Sequence, residues 1–371
     1  MEPSREYMNK DLLRSFWTYR DHARRIQGAF MDRLGFGPET TPSRVVGTWR
    51  TARLLAYQPA RRDAPVVLLL PAPIKAAYIW DLAADVSVVR RCLAEGMQVY
   101  MVEWQRPQPD DEAMGLAEYA DSLVLSCVDA IAAETGGSQV CMAGHSLGGT
   151  LAAIFASLHA DRLTGLVELE GPMHFSETGV LESAVLATSS ASEITDALGN
   201  VPGSFLNVAS RWADPVTFEW EPRVDAFTSG ASSDAIRNYW RVIRWALDEM
   251  PMPRRLFEDI IDGLYRENRF ARDRLQLGRR VAHPKAITVP ILAVADPRSR
   301  VVPWTSVEAY RDHTGSAEVQ LLEYIGDVGV VLQHVGILIG ERAHKMLWPQ
   351  IGRWIHERGV VPTVPRGKTA L

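Results

Sequence analysis

One serine in this sequence stands in a pattern that turns serine into a nucleophile. Ser146 is the centre of Gly144-His145-Ser146-Leu147-Gly148-Gly149, which follows an apolar run at residues 140–143 and precedes a predicted helix at residues 150–156. A strand, Gly-x-Ser-x-Gly and a helix in this order are typical of a nucleophile elbow, a tight turn that exposes the serine hydroxyl. The competing interpretation is a glycine-rich turn that only packs. The agreement of both flanking segments favours a catalytic serine.

A serine nucleophile needs a base, and His334 is the best-placed histidine. Where such an elbow occurs, the chain order is serine, acid, histidine, so the base should follow the last strand. His334 lies in Leu332-Gln333-His334-Val335-Gly336, a predicted loop between the last strand and the last helix. His344 and His356 fall on the polar side of the predicted terminal helix. We therefore expect both of them at the surface.

Two carboxylates compete for the role of orienting His334. Asp296 directly follows a predicted strand whose end is the usual location of the acid, and Glu170 follows the preceding strand of the sheet. We favour Asp296, for which a turn cap is the competing interpretation. The residue at the usual spacing within the loop after that strand is Ser299, which has no carboxylate. The acid is therefore either Asp296 or, as the alternative, Glu170.

An acyl-transfer site also needs two N–H donors for the developing oxyanion. The backbone N–H of Leu147, at the start of the helix after the elbow, should be one donor. The second should come from the loop that follows Leu70. Pro73 has no N–H, so Ala72 or Ile74 must supply it, and Ile74 is our candidate.

The elements that must position these residues alternate between strand and helix. Continuous apolar runs, such as residues 66–70, are typical of strands buried on both faces of a parallel sheet. The alternation stops between residues 171 and 290 and then resumes. The sequence therefore predicts an α/β-hydrolase fold, with a mostly parallel, doubly wound sheet and a large, mainly helical cap inserted after the sixth strand. The predicted segments are an N-terminal helical segment (1–43), the first half of the core (44–171), the cap (172–288), the second half of the core (289–359) and a loose tail (360–371).

Composition excludes several classes of protein. The formal net charge of -5 leaves no basic excess of the kind that nucleic-acid binding requires. The apolar runs are too short to span a bilayer, and the N-terminus lacks the apolar core of a signal peptide. The three cysteines have no paired spacing, which favours reduced thiols and a cytoplasmic protein. No metal-ligand spacing or cofactor motif is present, so we expect neither a metal nor a cofactor.

The chain resembles the polyhydroxyalkanoate synthases, especially their class III catalytic subunit, from about residue 44 to residue 355. His334-Val335-Gly336 is similar to the catalytic-histidine motif of that family. The other similar segments are residues 71–82, 87–91, 99–104, 202–207, 275–280 and 287–290. Three features depart from the family: Ser146 replaces its elbow cysteine, Ser299 replaces its aspartate, and residues 325–330 are extra. Within that extra segment, Asp327 lies in a second, weaker match to the histidine motif.

The serine changes the chemistry that the resemblance implies. A synthase holds its growing chain as a thioester, whereas an oxygen ester on Ser146 is more stable and open to hydrolysis. We therefore expect a serine esterase or thioesterase that acts on hydroxyacyl esters, oligoesters, polyesters or acyl-CoA. The alternatives are a synthase-like acyltransferase and a non-catalytic relative that binds polyester granules or a synthase subunit. A homodimer or granule association is the expected partnership.

Overall fold

The computed structural model describes residues 5–57, 64–175, 180–186, 190–228 and 233–359, and the predicted loose tail lies outside them. One mixed sheet forms the centre of the protein, with the strand order β1-β2-β6-β3-β7-β8-β11-β12. The described strands are β1 (Ser43–Thr48), β2 (Ala52–Tyr57), β3 (Val66–Leu70), β4 (Asp81–Ala83), β5 (Val86–Ser87), β6 (Gln98–Trp104), β7 (Val140–His145), β8 (Leu163–Leu169), β9 (Leu275–Leu277), β10 (Arg280–Ala282), β11 (Ile291–Ala295) and β12 (Val319–Glu323).

The direction of the strands confirms the predicted fold class. From β6 to β12 in the spatial order, all neighbours are parallel, whereas β2 is antiparallel to both β1 and β6. Parallel neighbours need crossover connections, and helices supply them. The described helices are α1 (Arg5–Met31), α2 (Val88–Ala94), α3 (Leu123–Thr135), α4 (Leu147–Leu158), α5 (Val180–Leu186), α6 (Ala191–Leu198), α7 (Gly203–Ala213), α8 (Glu221–Thr228), α9 (Ser233–Ala246), α10 (Arg254–Glu258), α11 (Trp304–His313), α12 (Gln333–Ile339) and α13 (Trp348–Gly359).

Successive residues of the central strands point into two different hydrophobic cores. In β3, Leu68 and Leu70 join the core that contains α3 and α4. Val67 and Leu69 join the other core, with α2, α12 and α13. This alternation is the period of two that a strand imposes, and it requires apolar residues at every position when both faces are covered. The continuous apolar run in the sequence therefore reports a doubly covered sheet.

The segment between β8 and β11 departs from the strand–helix alternation of the rest of the chain. We call residues 172–288 the cap segment. It contains α5 to α10 and the π-helical turns Val216–Trp220 and Asp259–Arg266. It also contains the β9–β10 hairpin, which the sequence pattern did not predict. Strands of three residues are too short to show a period of two, so the pattern carried no signal for them.

The predicted N-terminal helix is present as α1 and continues into the π-helical turn Asp32–Phe36. Its inner face packs on α6, α7 and α9, with the rings of Trp17 and Phe205 5.3 Å apart. Its outer face carries apolar side chains that are between 50% and 71% exposed, namely Leu12, Phe16, Tyr19, Ile26 and Phe30. In the described part of the chain, every helix is too short or too polar to cross a membrane.

Candidate active site

The turn between β7 and α4 has the geometry of a nucleophile elbow. Ser146 has φ 56° and ψ −131°, a conformation that an L-residue rarely adopts. Its N–H donates to the Leu169 carbonyl at 3.0 Å, and its carbonyl accepts from Gly149 N–H at 2.8 Å. Backbone strain of this kind costs about 1–3 kcal/mol and persists only where the surroundings enforce it. The sheet and the helix enforce it at Ser146.

The glycines of the motif allow close backbone contacts that a side chain would prevent. A Cβ on Gly144 would lie 2.6 Å from the Gly148 carbonyl oxygen. A Cβ on Gly148 would lie 2.9 Å from the Ala72 amide nitrogen, in the loop after β3. That loop therefore rests directly against the elbow. The segment expected to supply the second oxyanion donor, Ala72 or Ile74, is next to the helix start that carries Leu147.

His334 lies on a helix rather than in the predicted loop. It is the second residue of α12 and is only 8% exposed. Its carbonyl accepts a hydrogen bond from His145 Nε2 at 2.8 Å, and the two imidazole rings are 4.6 Å apart. Burial, reinforced by the neighbouring His334, holds the pKa of His145 well below its usual value, so His145 is a neutral N–H donor. The sequence motif indicated no separate role for His145, although this residue directly precedes Ser146.

Glu170 is the carboxylate that the structure brings to His334. It follows β8 directly, is fully buried and has φ 46°. Its Oε2 contacts His334 Nδ1 in a short hydrogen bond. Its Oε1 accepts from the backbone N–H of Asp296 at 3.1 Å, and the Ser299 hydroxyl lies 3.5 Å from Oε2. Ser299, which stands at the usual position of the acid, thus contacts Glu170. Glu170 itself reaches His334 from the end of the neighbouring strand, β8.

The expectation that Asp296 orients His334 is not met by these contacts. The Asp296 carboxylate accepts from the backbone N–H of Arg298 at 2.8 Å and from its guanidinium at 3.0 and 2.9 Å. It therefore caps its own turn, which was the competing interpretation. The side chain points along the loop after β11, whereas the longer side chain of Glu170 reaches His334. Of the two candidate acids, the structure brings Glu170 and not Asp296 into contact with His334.

His334 also lines a cavity of about 790 Å³ beneath the cap segment. Ser146 is half-buried, and no hydrogen bond joins its hydroxyl to His334 among the described residues. Contacts of this kind are often long in the absence of substrate. Ionisable and apolar groups both line the cavity, including Asp296, Arg298, Arg300, Ile325, Val328 and Met346.

Hydrogen bonds from residues 329 and 331 to the cap segment hold the extra segment (325–330) before His334. The Asp225 carboxylate of α8 accepts from Gly329 N–H at 2.8 Å and from Val331 N–H at 2.7 Å. Val331 has φ 66°, which is unfavourable for a β-branched residue. Asp225 thus holds the backbone just before His334, although it is more than 100 residues away in the chain. No local motif indicated this role.

Two other histidines differ from expectation. His344 is buried, and its Nε2 donates to the Leu338 carbonyl at 2.8 Å. Burial lowers the pKa of His344 to about 4. His356 is half-buried, and its Nε2 lies 2.9 Å from the Glu95 carbonyl. The π-helical turn Ala343–Leu347 shifts the phase of the terminal helix, so the polar side inferred for an ideal helix is misplaced. Within the described ranges, no group of three or more His, Cys, Asp or Glu is placed to hold a metal ion.

The strained serine turn, the buried histidine–carboxylate pair and the sheet order define a class of protein. The family profile described as alpha/beta hydrolase fold matches residues 65–326, and the chain belongs to that family. The fold is also that of a solved monoacylglycerol lipase from Paleococcus ferrophilus, with a TM-score of 0.50 at 16% identity, covering 80% of this chain and 96% of the other.

Within that class, the chain is polyhydroxyalkanoate synthase-like. It is 28% identical over 328 residues to the poly(3-hydroxyalkanoate) polymerase subunit PhaC of Haloferax mediterranei, covering 87% of this chain and 65% of that protein. It is also 28% identical over 295 residues to the PhaC subunit of Allochromatium vinosum, covering 79% of this chain and 81% of that protein. The similarity therefore extends over most of this chain, but over less than two thirds of the Haloferax protein.

Proposed function

We propose that this protein is a serine hydrolase that cleaves carboxylic esters or thioesters through an acyl-enzyme. The observation that carries the proposal is the buried Glu170–His334 pair, whose histidine also packs on the residue before Ser146. A carboxylate on Nδ1 leaves Nε2 of the imidazole as the base for a serine hydroxyl. A non-catalytic binding protein would have no need for a buried pair of this kind beside a strained serine.

In this proposal, Ser146 attacks the acyl carbonyl while His334 accepts its proton at Nε2. Glu170 stabilises the resulting imidazolium through Nδ1–H. The backbone N–H of Leu147, together with that of Ile74 or Ala72, stabilises the oxyanion of the tetrahedral intermediate. His334 then protonates the leaving alcohol or thiol. Water, deprotonated by His334, attacks the acyl-serine, and His334 returns that proton to Ser146 Oγ as the acid product leaves.

The choice of hydrolysis over polymerisation depends on the nucleophile atom. An acyl group on the Ser146 oxygen is an ester, which transfers less readily to an incoming hydroxyl than a thioester does. We take the substrate class, hydroxyacyl esters, oligoesters or acyl-CoA, from the polymerase relatives.

The test is a product analysis with 3-hydroxybutyryl-CoA and a set of p-nitrophenyl esters of increasing acyl length. We expect free 3-hydroxy acid and CoA in equal amounts, and no release by Ser146→Ala. Insoluble polymer or soluble oligomers as the main product would favour the second candidate, a synthase-like acyltransferase, to which the relatives' names point. Failure of the wild-type protein on every substrate would favour a non-catalytic granule- or subunit-binding relative.

The exposed apolar stripe of α1 supports an association of the protein with a partner surface. Leu12, Phe16, Tyr19, Ile26 and Phe30 present this stripe to solvent. Large exposed apolar patches mark interaction sites. A homodimer and a polyester granule both remain predicted partners, and the cytoplasmic location also stays a prediction.

A further inference from the structure

The loop expected to supply the second oxyanion donor is held at its two ends by different regions of the molecule. At its start, the Pro71 carbonyl accepts from Trp104 Nε1 of β6 at 2.7 Å. At its end, the Ile74 carbonyl accepts from the backbone N–H of Met250 at 2.9 Å. Met250 belongs to the cap segment. We call residues 71–76 the donor loop. It is fixed at one end by the sheet and at the other by the cap segment.

One short piece of the cap, residues 245–250, makes most of the contacts at that end. Besides the bond from Met250, Trp245 Nε1 donates to the Ala76 carbonyl at 2.8 Å. The Tyr78 hydroxyl donates to Asp248 Oδ2 at 2.9 Å. We call residues 245–250 the loop support.

The centre of this contact is a lysine–glutamate pair. Lys75 and Glu249 face each other as an isolated antiparallel bridge, and Lys75 Nζ lies 2.6 Å from Glu249 Oε1. The ammonium also donates to the Ala246 carbonyl at 3.0 Å and lies 5.2 Å from the centre of the Trp245 ring. Glu249 is 4% exposed and also accepts from Arg24 of α1 and Asn207 of α7. Burial lowers the pKa of Lys75, and Glu249 opposes that effect.

We infer that Lys75 and Glu249 are positioning residues that hold the donor loop in register with the elbow. The inference rests on the proposed function, because it assumes that Ala72 or Ile74 faces an oxyanion. Pro73 fixes its own φ, and the bond from Met250 fixes the Ile74 carbonyl. Between these two constraints, the direction of the Ile74 N–H depends on where the loop support lies. The ion pair between Lys75 and Glu249 joins the donor loop to the loop support through their side chains, in addition to the backbone bridge between the same two residues.

The inference predicts a catalytic defect from Lys75→Met, which keeps most of the length of the side chain but removes both Nζ hydrogen bonds. Loss of one oxyanion donor costs on the order of 100-fold in kcat, so a displaced donor should cost about 10- to 100-fold. We expect KM to change by less than about 3-fold, because the ground state does not depend on the oxyanion donors. The affinity for phenylboronic acid, which forms a tetrahedral adduct with serine, should fall in parallel with kcat.

Arg241→Met is the matched control. Arg241 is a buried cap arginine that pairs with Glu39, and none of its described contacts involves the donor loop. It should lower the melting temperature in the same way as Lys75→Met while leaving kcat within about 2-fold. If Lys75→Met does not fold, Trp245→Phe removes the bond to Ala76 while keeping an aromatic ring beside Lys75 Nζ, and it should lower kcat by several-fold. A kcat equal to that of the wild type in folded Lys75→Met, or in folded Trp245→Phe where Lys75→Met does not fold, would overturn the inference. A wild-type protein without esterase activity or boronate binding would instead overturn the proposed function.

Discussion

At the scale of residues, three of the five non-glycine residues with positive φ in the described part of the chain lie near His334. The other two, Asn268 and Asp273, are of residue types that tolerate this conformation. Ser146, Glu170 and Val331 all have positive φ, with values of 56°, 46° and 66°. Each precedes or follows the end of a strand or helix that supplies a residue of the site. Strain of about 1–3 kcal/mol per residue is retained where a structure is built to hold a reactive geometry. This distribution is independent of the hydrogen bonds and indicates the same site.

The nucleophile atom should decide the fate of the acyl group. Ser146→Cys keeps the elbow, and it replaces the acyl ester by a thioester that transfers more readily to a hydroxyl. We expect the ratio of oligomer to free acid formed from 3-hydroxybutyryl-CoA to rise by at least about 10-fold. Mass spectrometry of the products measures this ratio, with Ser146→Ala as the blank. Free acid as the sole product of Ser146→Cys would contradict the proposed effect of the serine oxygen on the fate of the acyl group.

The two carboxylates near β11 should differ sharply in their effect on activity. Glu170→Gln removes the charge that stabilises the His334 imidazolium, and changes of this kind lower kcat by up to about 10⁴-fold. Asp296→Asn disturbs only a turn that pairs with Arg298, so kcat should fall by less than about 10-fold. Steady-state kinetics on one activated ester compares them.

A relocation of the acid provides a control for the Glu170 prediction. Ser299 touches Glu170 and stands at the usual acid position, so Ser299→Asp in the Glu170→Ala background should recover at least about 10-fold of the lost kcat. Equal losses in Glu170→Gln and Asp296→Asn would remove the distinction that the structure draws.

At the scale of elements, β8 contributes a second buried carboxylate that no step of the mechanism uses. Glu168 pairs with Gly144 of β7 and Ala293 of β11, and it is fully buried beneath the start of α4. Burial raises the pKa of Glu168 well above its usual value. The folded protein therefore binds the proton of Glu168 more tightly than the unfolded chain does, and stability falls as the pH rises above about 4.5.

Glu168→Gln should remove this dependence, because the amide keeps the shape of the neutral acid. We expect little difference in melting temperature between the variant and the wild type at pH 4. The variant should gain relative to the wild type as the pH rises to 8. The slope is about 1.4 kcal/mol per pH unit until the folded-state pKa is reached. Thermal unfolding across this pH range checks the sign, and a constant difference would show that Glu168 is already ionised in the folded protein.

At the scale of the whole molecule, the sheet and the sharp turn at Ser146 could be predicted because their signals are local. The apolar run of β3 and the elbow around Ser146 each lie in one short stretch of sequence. The chain order serine, acid, histidine then selects His334. The carboxylate that contacts His334 could not be predicted in this way. Glu170 and Asp296 follow neighbouring parallel strands and end at the same sheet edge, so the choice depends on side-chain reach and on Arg298. Neither appears in a one-dimensional pattern.

The contacts between the cap segment and the loops of the site could not be predicted from the sequence either. Asp225 and Glu249 belong to the cap segment, and each holds a loop that is distant in the chain. Their partners within those loops are backbone N–H groups or a single lysine, which leave no motif. The cap segment therefore contacts both the donor loop and the segment before His334.

Covalent labelling tests whether Ser146 is an activated nucleophile. The wild-type protein, incubated with a fluorophosphonate, should gain the mass of one phosphonyl group, and peptide mapping should place it on Ser146. Ser146→Ala should gain no mass, and Glu170→Gln should react far more slowly than Asp296→Asn. Absence of labelling in a folded wild-type protein, or labelling that persists in Ser146→Ala, would contradict the assignment of Ser146 as an activated nucleophile.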